Sequence, residues 1–384
     1  MSSPAVLRSL QTVVPDTILP QPETRDVFAA QPDLSRLARR IVTASFDGSG
    51  IDSRRTVIDE LTLDRSSPDP VFFDRDAGLL LAPTTAVRNE IYVREAGDLY
   101  IAAARAALDA DPEIAPADVT HVITVSCTGF HAPGPEYAIV RALGLRESVQ
   151  RYHLGFMGCY ASMPALCMAS QFCAADPEAV VLVASVELCT LHLRSSEDPD
   201  VIVASSLFAD GAAAGIVTAR PSTARGLRLD RFHTAIAPQG EKDMAWTIGD
   251  RGFEMILSTA VPQIIGETIV DALRPLYAGT LSAPFEDGRI GQAVSHWAIH
   301  PGGRSILDRV QDRLGLSDAQ LRPARETLRE YGNMSSATVL FVLRRILLDA
   351  ATLPGDRVSA MAFGPGLTAE SALLTVTGAE GDAG

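Results

Sequence analysis

Short, nearly unbroken apolar runs separated by longer amphipathic stretches limit this chain more than any other feature. The runs lie at 121–127 (HVITVSC), 179–188 (AVVLVASVEL), 213–218 (AAGIVT), 295–300 (SHWAIH) and 358–363 (VSAMAF). A strand that is apolar on both faces belongs in a sheet covered on both sides, so the expected class is α/β. Helical patterns at 97–110, 160–174, 262–277, 303–314 and 335–349 supply the covering layers. Turn-rich breaks fall at 189–200, 219–226, 278–291 and in the polar tail 378–384. The break ARPSTARG at 219–226 divides the chain near its middle, giving two expected units, 1–222 and 223–384. A faint internal echo fits a duplication: FADG at 208–211 precedes AAAGIV, and FGPG at 363–366 precedes LTAESALLTV.

Composition narrows the function classes. Hydrophobic residues at 47% and charged ones at 21% furnish a core and exclude a disordered or low-complexity chain. With 33 basic residues against 47 acidic, the net charge of −14 excludes a general nucleic-acid binder. All the basic residues but Lys242 are arginines. The cysteines, Cys127, Cys159, Cys167, Cys173 and Cys189, are odd in number and clustered, and no basic, apolar leader precedes them. They do not read as a disulfide framework, and the absence of CxxC argues against zinc. No apolar stretch is long enough to span a bilayer. The expectation is a cytoplasmic protein with reduced thiols, no metal and no membrane span.

Three segments could carry chemistry. Cys159 stands in GFMGCYASMPAL, where Gly155 and Gly158 permit a tight turn into the helical pattern at 160–174. Free N–H groups at a helix start favour a thiolate, although many free cysteines are simply small buried apolar residues. Packing is the plainer reading for Cys167 and Cys173, inside the helix pattern, while Cys127 ends a strand and could line a pocket. His300 closes SHWAIH and is followed by a Pro-Gly-Gly turn and a helix, the place where α/β proteins put ligand sites. His296 lies deeper in the same strand and reads as structural. Asn333, in YGNMSSATVLF, is placed to cap a helix or to present its amide to a site. A thiol, an imidazole and an amide in that order suggest acyl-thioester chemistry.

Taken together, GFMGCYA, WAIHPGGRSIL, YGNMSSATVLF and AFGPGLTAE resemble the signature segments of the chalcone synthase family, the type III polyketide synthases. VSCTGFHAPG (125–134), VELC (186–189) and SLFADGAAA (206–214) support the resemblance, which runs from about residue 85 to 378. It implies a thiolase fold, a duplicated five-layered αβαβα architecture, in a homodimer. It implies no resident cofactor: acyl groups come from coenzyme A thioesters, without an acyl carrier protein, and are extended with malonyl-CoA. Carried onto this sequence, Cys159 is the nucleophile, and His300 and Asn333 assist it and hydrogen-bond the thioester carbonyl. Phe208 matches the gatekeeping phenylalanine, whereas the second gate is occupied by Met255.

Other cavity positions implied by the resemblance are Cys127, His192, Trp246, Ser335 and the loop Gly364, Pro365, Gly366. Cys127, His192 and Trp246 depart from the plant pattern, and the bulk of His192 and Trp246 reduces the usual cyclisation cavity. The bacterial pattern around SCTGF points to a fatty acyl starter and an alkylpyrone or alkylresorcinol product. The phosphates of CoA need a local positive patch, expected from Arg36, Arg39 and Arg40 at helical spacing, with Arg54 and Arg55 beyond. Two readings compete: a single-condensation enzyme like ketoacyl synthase III, and a cysteine hydrolase.

Overall fold

The structure, a computed structural model, describes residues 4–62, 67–279, 281 and 283–378. Of the expected breaks, 280 and 282 and the tail past Gly378 lie outside the described residues. The major strands are β1 (Val6–Val13), β2 (His121–Ser126), β3 (Gln150–Gly155), β4 (Val180–Leu188), β5 (Asp210–Thr218) and β6 (Gly226–Ile236). They continue with β7 (Met244–Gly249), β8 (Gly252–Leu257), β9 (His296–Ile299), β10 (Arg357–Gly364) and β11 (Thr368–Thr377). All five expected apolar runs are strands: β2, β4, β5, β9 and β10. Strands β4 and β5 are buried at every position, as their unbroken apolar sequences require.

Nine of these strands form one mixed sheet in the order β9-β10-β11-β6-β1-β5-β4-β2-β3. Strand β2 runs parallel to β3 and β4, while β5 is antiparallel to both β4 and β1. The far side repeats this: β9 is parallel to β10, and β11 is antiparallel to β10 and β6. Within each half the first strand in sequence therefore lies beside the last. The halves join through a short antiparallel contact, Leu7 opposite Leu227.

The main helices are α1 (Arg36–Gly48), α2 (Thr85–Asp109), α3 (Pro135–Leu143), α4 (Ser162–Ala175) and α5 (Pro199–Leu207). After them come α6 (Val261–Tyr277), α7 (Arg304–Leu314), α8 (Asp318–Tyr331) and α9 (Thr338–Leu348). Helices α4 and α9 each touch strands of both halves, α4 on β2, β4 and β5 and also on β6 and β11, and α9 on β1 and β5 as well as β9 and β10. They form the middle layer. Helices α2 and α3 cover the outer face of the first half, and α6 that of the second. This layering is the mixed α/β, thiolase-like arrangement, and it brings the ends of α4 and α9 to one place.

Candidate active site

Cys159 follows β3 and stands just ahead of α4. The chain reaches it through Phe156 (φ 61°) and Gly158 (φ 92°), both in the left-handed region. At Gly158 a Cβ would lie 2.3 Å from Pro365 Cδ, so only glycine fits both the conformation and the space. His300 directly follows β9, its N–H bonded to the Met361 carbonyl at 2.8 Å, and is 1% exposed. Asn333 follows Gly332 (φ 72°) and bridges to the segment after α5: its N–H donates to the Leu207 carbonyl and its carbonyl accepts from Ala209 N–H, both at 2.9 Å.

Cys159, His300 and Asn333 line one cavity of about 560 Å³, with Cys127, Ser335, Phe208, Trp246 and Met255 also in its wall. The Asn333 side chain closes the turn that follows it and caps no helix. Its Oδ1 accepts from Ser335 N–H at 2.9 Å, capping the turn ahead of α9, while Nδ2 donates to the Gly302 carbonyl at 3.2 Å and leaves a second N–H for a ligand. Neither ring nitrogen of His300 has a hydrogen-bond partner among the described residues. Burial pushes the His300 imidazole down to about 3. Burial likewise pushes the Cys159 thiol up to about 11, against hydrogen bonds from Ser335 and Asn333. Each group, ionising alone, would leave an uncompensated charge among buried, mostly apolar side chains.

Three sequence expectations need correction. Arg54 is fully buried: its Nη1 donates to the Ser205 carbonyl at 2.8 Å and the Phe208 carbonyl at 2.7 Å, so it braces the turn that carries Phe208 and is closed to phosphate. Arg39 and Arg55 are spent on backbone carbonyls, Gln31 and Leu34 for the first, Pro15 and Asp16 for the second. Only Arg36 and Arg40 remain exposed, and none of the five lines the cavity. In the FGPG loop Pro365 faces the cavity, but Gly364 and Gly366 do not. Gly364 instead makes room for Tyr160, whose ring would lie 2.5 Å from a Cβ there. His192 lies outside this cavity, in the wall of an adjoining one. Of the remaining cysteines, Cys189 also reaches the adjoining cavity, Cys173 is core, and Cys167 is half-buried in α4. His296 is paired with Asp356 at 3.0 Å, a structural role.

Sequence reasoning missed Glu187. Fully buried near the end of β4, it accepts from Cys127 N–H at 2.9 Å, Thr128 Oγ1 at 3.1 Å and the Ser336 hydroxyl. It thereby ties the Cys127 turn to the segment that carries Asn333 and Ser335. The signal was a lone carboxylate in an otherwise apolar strand.

A thiol, an imidazole and an amide gathered on an apolar cavity in a thiolase-like fold define an enzyme that moves acyl groups between thioesters. The comparisons with known proteins make the class specific. Residues 1–221 match the family described as chalcone and stilbene synthases, N-terminal domain, and residues 229–377 its C-terminal domain. The chain is 34% identical to bisdemethoxycurcumin synthase of Oryza sativa subsp. japonica over 81% of its length and 77% of the relative. It is also 34% identical to 1,3,6,8-tetrahydroxynaphthalene synthase of Streptomyces coelicolor, over 74% of each chain. The crystal structure of PKS-I from the brown alga Ectocarpus siliculosus superposes with a TM-score of 0.85 at 28% identity, covering 98% of this chain and 99% of the other. The chain belongs to the chalcone and stilbene synthase family: it is a type III polyketide synthase, an acyltransferase of a family that uses coenzyme A thioesters without a bound cofactor. Among the described residues no helix is long and apolar enough to cross a membrane.

Proposed function

We propose that this enzyme loads an acyl group from CoA onto Cys159 and extends it with malonyl-CoA. The carrying observation is that Cys159, His300 and Asn333, from three distant segments, line one cavity, in which neither imidazole nitrogen has a hydrogen-bond partner among the described residues. His300 takes the thiol proton, and the Cys159 thiolate attacks the acyl-CoA carbonyl. The C–S bond to Cys159 forms, CoA thiolate leaves, and it takes up a proton. Malonyl-CoA then loses CO₂, and the electron pair of the broken bond moves onto the thioester oxygen as an enolate. N–H groups of His300 and Asn333 hold that oxygen, a donor pair that is stronger toward the developing charge than toward the ground state. The enolate carbon attacks the acyl-Cys159 carbonyl and expels the thiolate, leaving a chain two carbons longer on CoA, ready to reload.

The starter we favour is a fatty acyl-CoA and the product an alkylpyrone or alkylresorcinol. Support comes from the cavity wall, which Met244, Ala245, Leu257, Ile306 and Phe363 line with apolar side chains. The working form is a cytoplasmic homodimer that needs no acyl carrier protein, with Arg36 and Arg40 as the phosphate contacts still open to solvent. The test is incubation with malonyl-CoA and a series of acyl-CoA starters, with product mass spectrometry and CO₂ counting. Alkylated pyrones or resorcinols are expected, and Cys159→Ala should remove extension altogether. Extension by Cys159→Ala at the wild-type rate would overturn the assignment. A single condensation that depends on acyl carrier protein would favour the ketoacyl synthase reading. Iodoacetamide-sensitive hydrolysis without malonyl-CoA would favour the hydrolase.

A further inference from the structure

Cys159 is flanked by Gly158 and Tyr160, and each of these meets one residue at the turn that joins β10 to β11. A Cβ at Gly158 would lie 2.3 Å from Pro365 Cδ. A Cβ at Gly364 would lie 2.5 Å from the Tyr160 ring and 3.4 Å from the backbone nitrogen of Cys159. The contact is reciprocal: each turn leaves a gap where a side chain would stand, and the other turn fills it with a ring. Gly158 is also in the left-handed region, at φ 92°, but Gly364 is not. What excludes a side chain at Gly364 is therefore the space that Tyr160 takes.

Both turns are held in place. Gly364 pairs with Thr368 across β10 and β11, the Thr368 hydroxyl donates to the Pro365 carbonyl at 3.0 Å, and Gly366 N–H donates to the Met244 carbonyl at 3.1 Å. On the nucleophile side, Ala161 N–H donates to the Gly158 carbonyl at 3.0 Å and Met163 N–H to the Tyr160 carbonyl at 2.8 Å, which carries the chain into α4. Cys127 Sγ accepts from Gly158 N–H at 2.9 Å. One ring from each half of the chain thus closes on the backbone beside Cys159. Close-packed rings leave little slack, and a misplacement of about 1 Å in a reacting group can cost on the order of 10² in rate.

We propose that Tyr160 is a positioning residue: by filling the gap at Gly364 it holds the Cys159 thiol where the acyl-CoA carbonyl is attacked, and Pro365 completes the grip. The inference deepens the reading of Cys159 as the nucleophile and rests on it. Among the described residues the cavity wall includes Pro365 but not Tyr160, so the tyrosine acts through the backbone of Cys159 and not on the substrate. The second half of the chain then does more than supply His300 and Asn333, because loading of Cys159 depends on its β10–β11 turn.

The test separates the step that needs Cys159 from the step that needs His300 and Asn333. Loading is read as the mass gain of the intact protein in single-turnover mixing with hexanoyl-CoA. Uncoupled CO₂ release is read from malonyl-CoA without a starter. Tyr160→Ala and Gly364→Ala should each slow loading on the order of 10²-fold while CO₂ release stays near the wild-type rate, and Tyr160→Phe, which keeps the ring, should restore loading. Tyr160→Ala combined with Gly364→Ala should load no more slowly than Tyr160→Ala alone, because the added methyl enters space the ring has left. Unchanged loading in the single variants overturns the proposal. So does CO₂ release that falls in step with loading, the mark of general damage to the site. If Gly364→Ala does not fold, the double variant decides in its place, and a further loss beyond Tyr160→Ala overturns the interlock. If the wild type takes up no acyl group, the nucleophile reading fails on its own, and alkylation of Cys159 by iodoacetamide is followed across pH instead. Tyr160→Ala must then shift that pH profile and Tyr160→Phe must not; coincident profiles overturn the positioning role.

Discussion

At the scale of single residues, the site depends on positions where backbone and space leave one choice. Gly158 combines φ 92° with a neighbour, Pro365, that a Cβ would strike. Gly158→Ala is therefore expected to lose about 1–3 kcal/mol of stability and to displace Cys159, read as a lower urea midpoint together with slower alkylation of the thiol. Asn333 is a different case, because its Oδ1 caps the turn ahead of α9 while its amide faces the cavity. Asn333→Ala should slow malonyl-CoA decarboxylation on the order of 10²–10³-fold, the usual effect of removing one oxyanion donor. Asn333→Asp would keep the cap but lose the donor, so an equal rate loss with less loss of stability would separate the two roles.

At the scale of elements, Glu187 fastens the end of β4 to the turn after β2 and to the segment ahead of α9. Burial raises its carboxyl from 4.5 to about 7, outweighing the hydrogen bonds from Ser336, Cys127 and Thr128. Between those two values the folded protein keeps a proton that the unfolded chain has released. Stability from this group is therefore full below pH 4.5 and falls as the pH rises to about 7. Asp210, raised to about 6 mainly by burial, acts in the same direction. In Glu187→Gln, about 2–3 kcal/mol of the decline in unfolding free energy between pH 5 and pH 8 should disappear, measured by urea titration at both values.

Elements also mark where the sequence was hard to read. The pattern at 97–110 captured only the second half of α2, which begins at Thr85 behind a Thr84 cap. Its first turns carry Arg88 and Asn89, which look like surface residues. Yet Arg88 is buried, donating to the carbonyls of Pro83, Leu191 and Leu193. Strand β1 escaped for the same reason. VLRSLQTV shows no clean period, because Arg8 is buried inside the sheet and paired with Asp111 at 3.0 Å and with Glu113.

For the whole molecule, β1 is the seam. It pairs with β5 on one side and β6 on the other, so the first strand of the chain joins the two halves of the sheet. Leu7 is fully buried there, and its side chain packs where Gly215 lacks one. Leu7→Ala should cost about 2–5 kcal/mol, as large-to-small changes in a core do. If the seam makes the halves one cooperative unit, circular dichroism and the fluorescence of buried Trp297 will report a single shifted transition. Separate transitions would mean that the halves unfold independently.

The sequence alone determined the α/β class, the five apolar strands and the identity of the chemical groups. Those follow from local facts: unbroken Val and Ile runs can only be buried strands, and glycines beside Cys159 and Asn333 mark tight entries to helices. Tertiary structure decided what depends on distant partners. Only the fold shows that Asn333 is hydrogen-bonded beside Phe208, that Arg54 spends its charge on buried carbonyls, and that Glu187 spans both halves of the site. Only the fold, too, sets Trp246 between two cavities. The physical reason is that burial and hydrogen-bond satisfaction are properties of the surroundings a residue meets, and those surroundings come from segments far away along the chain.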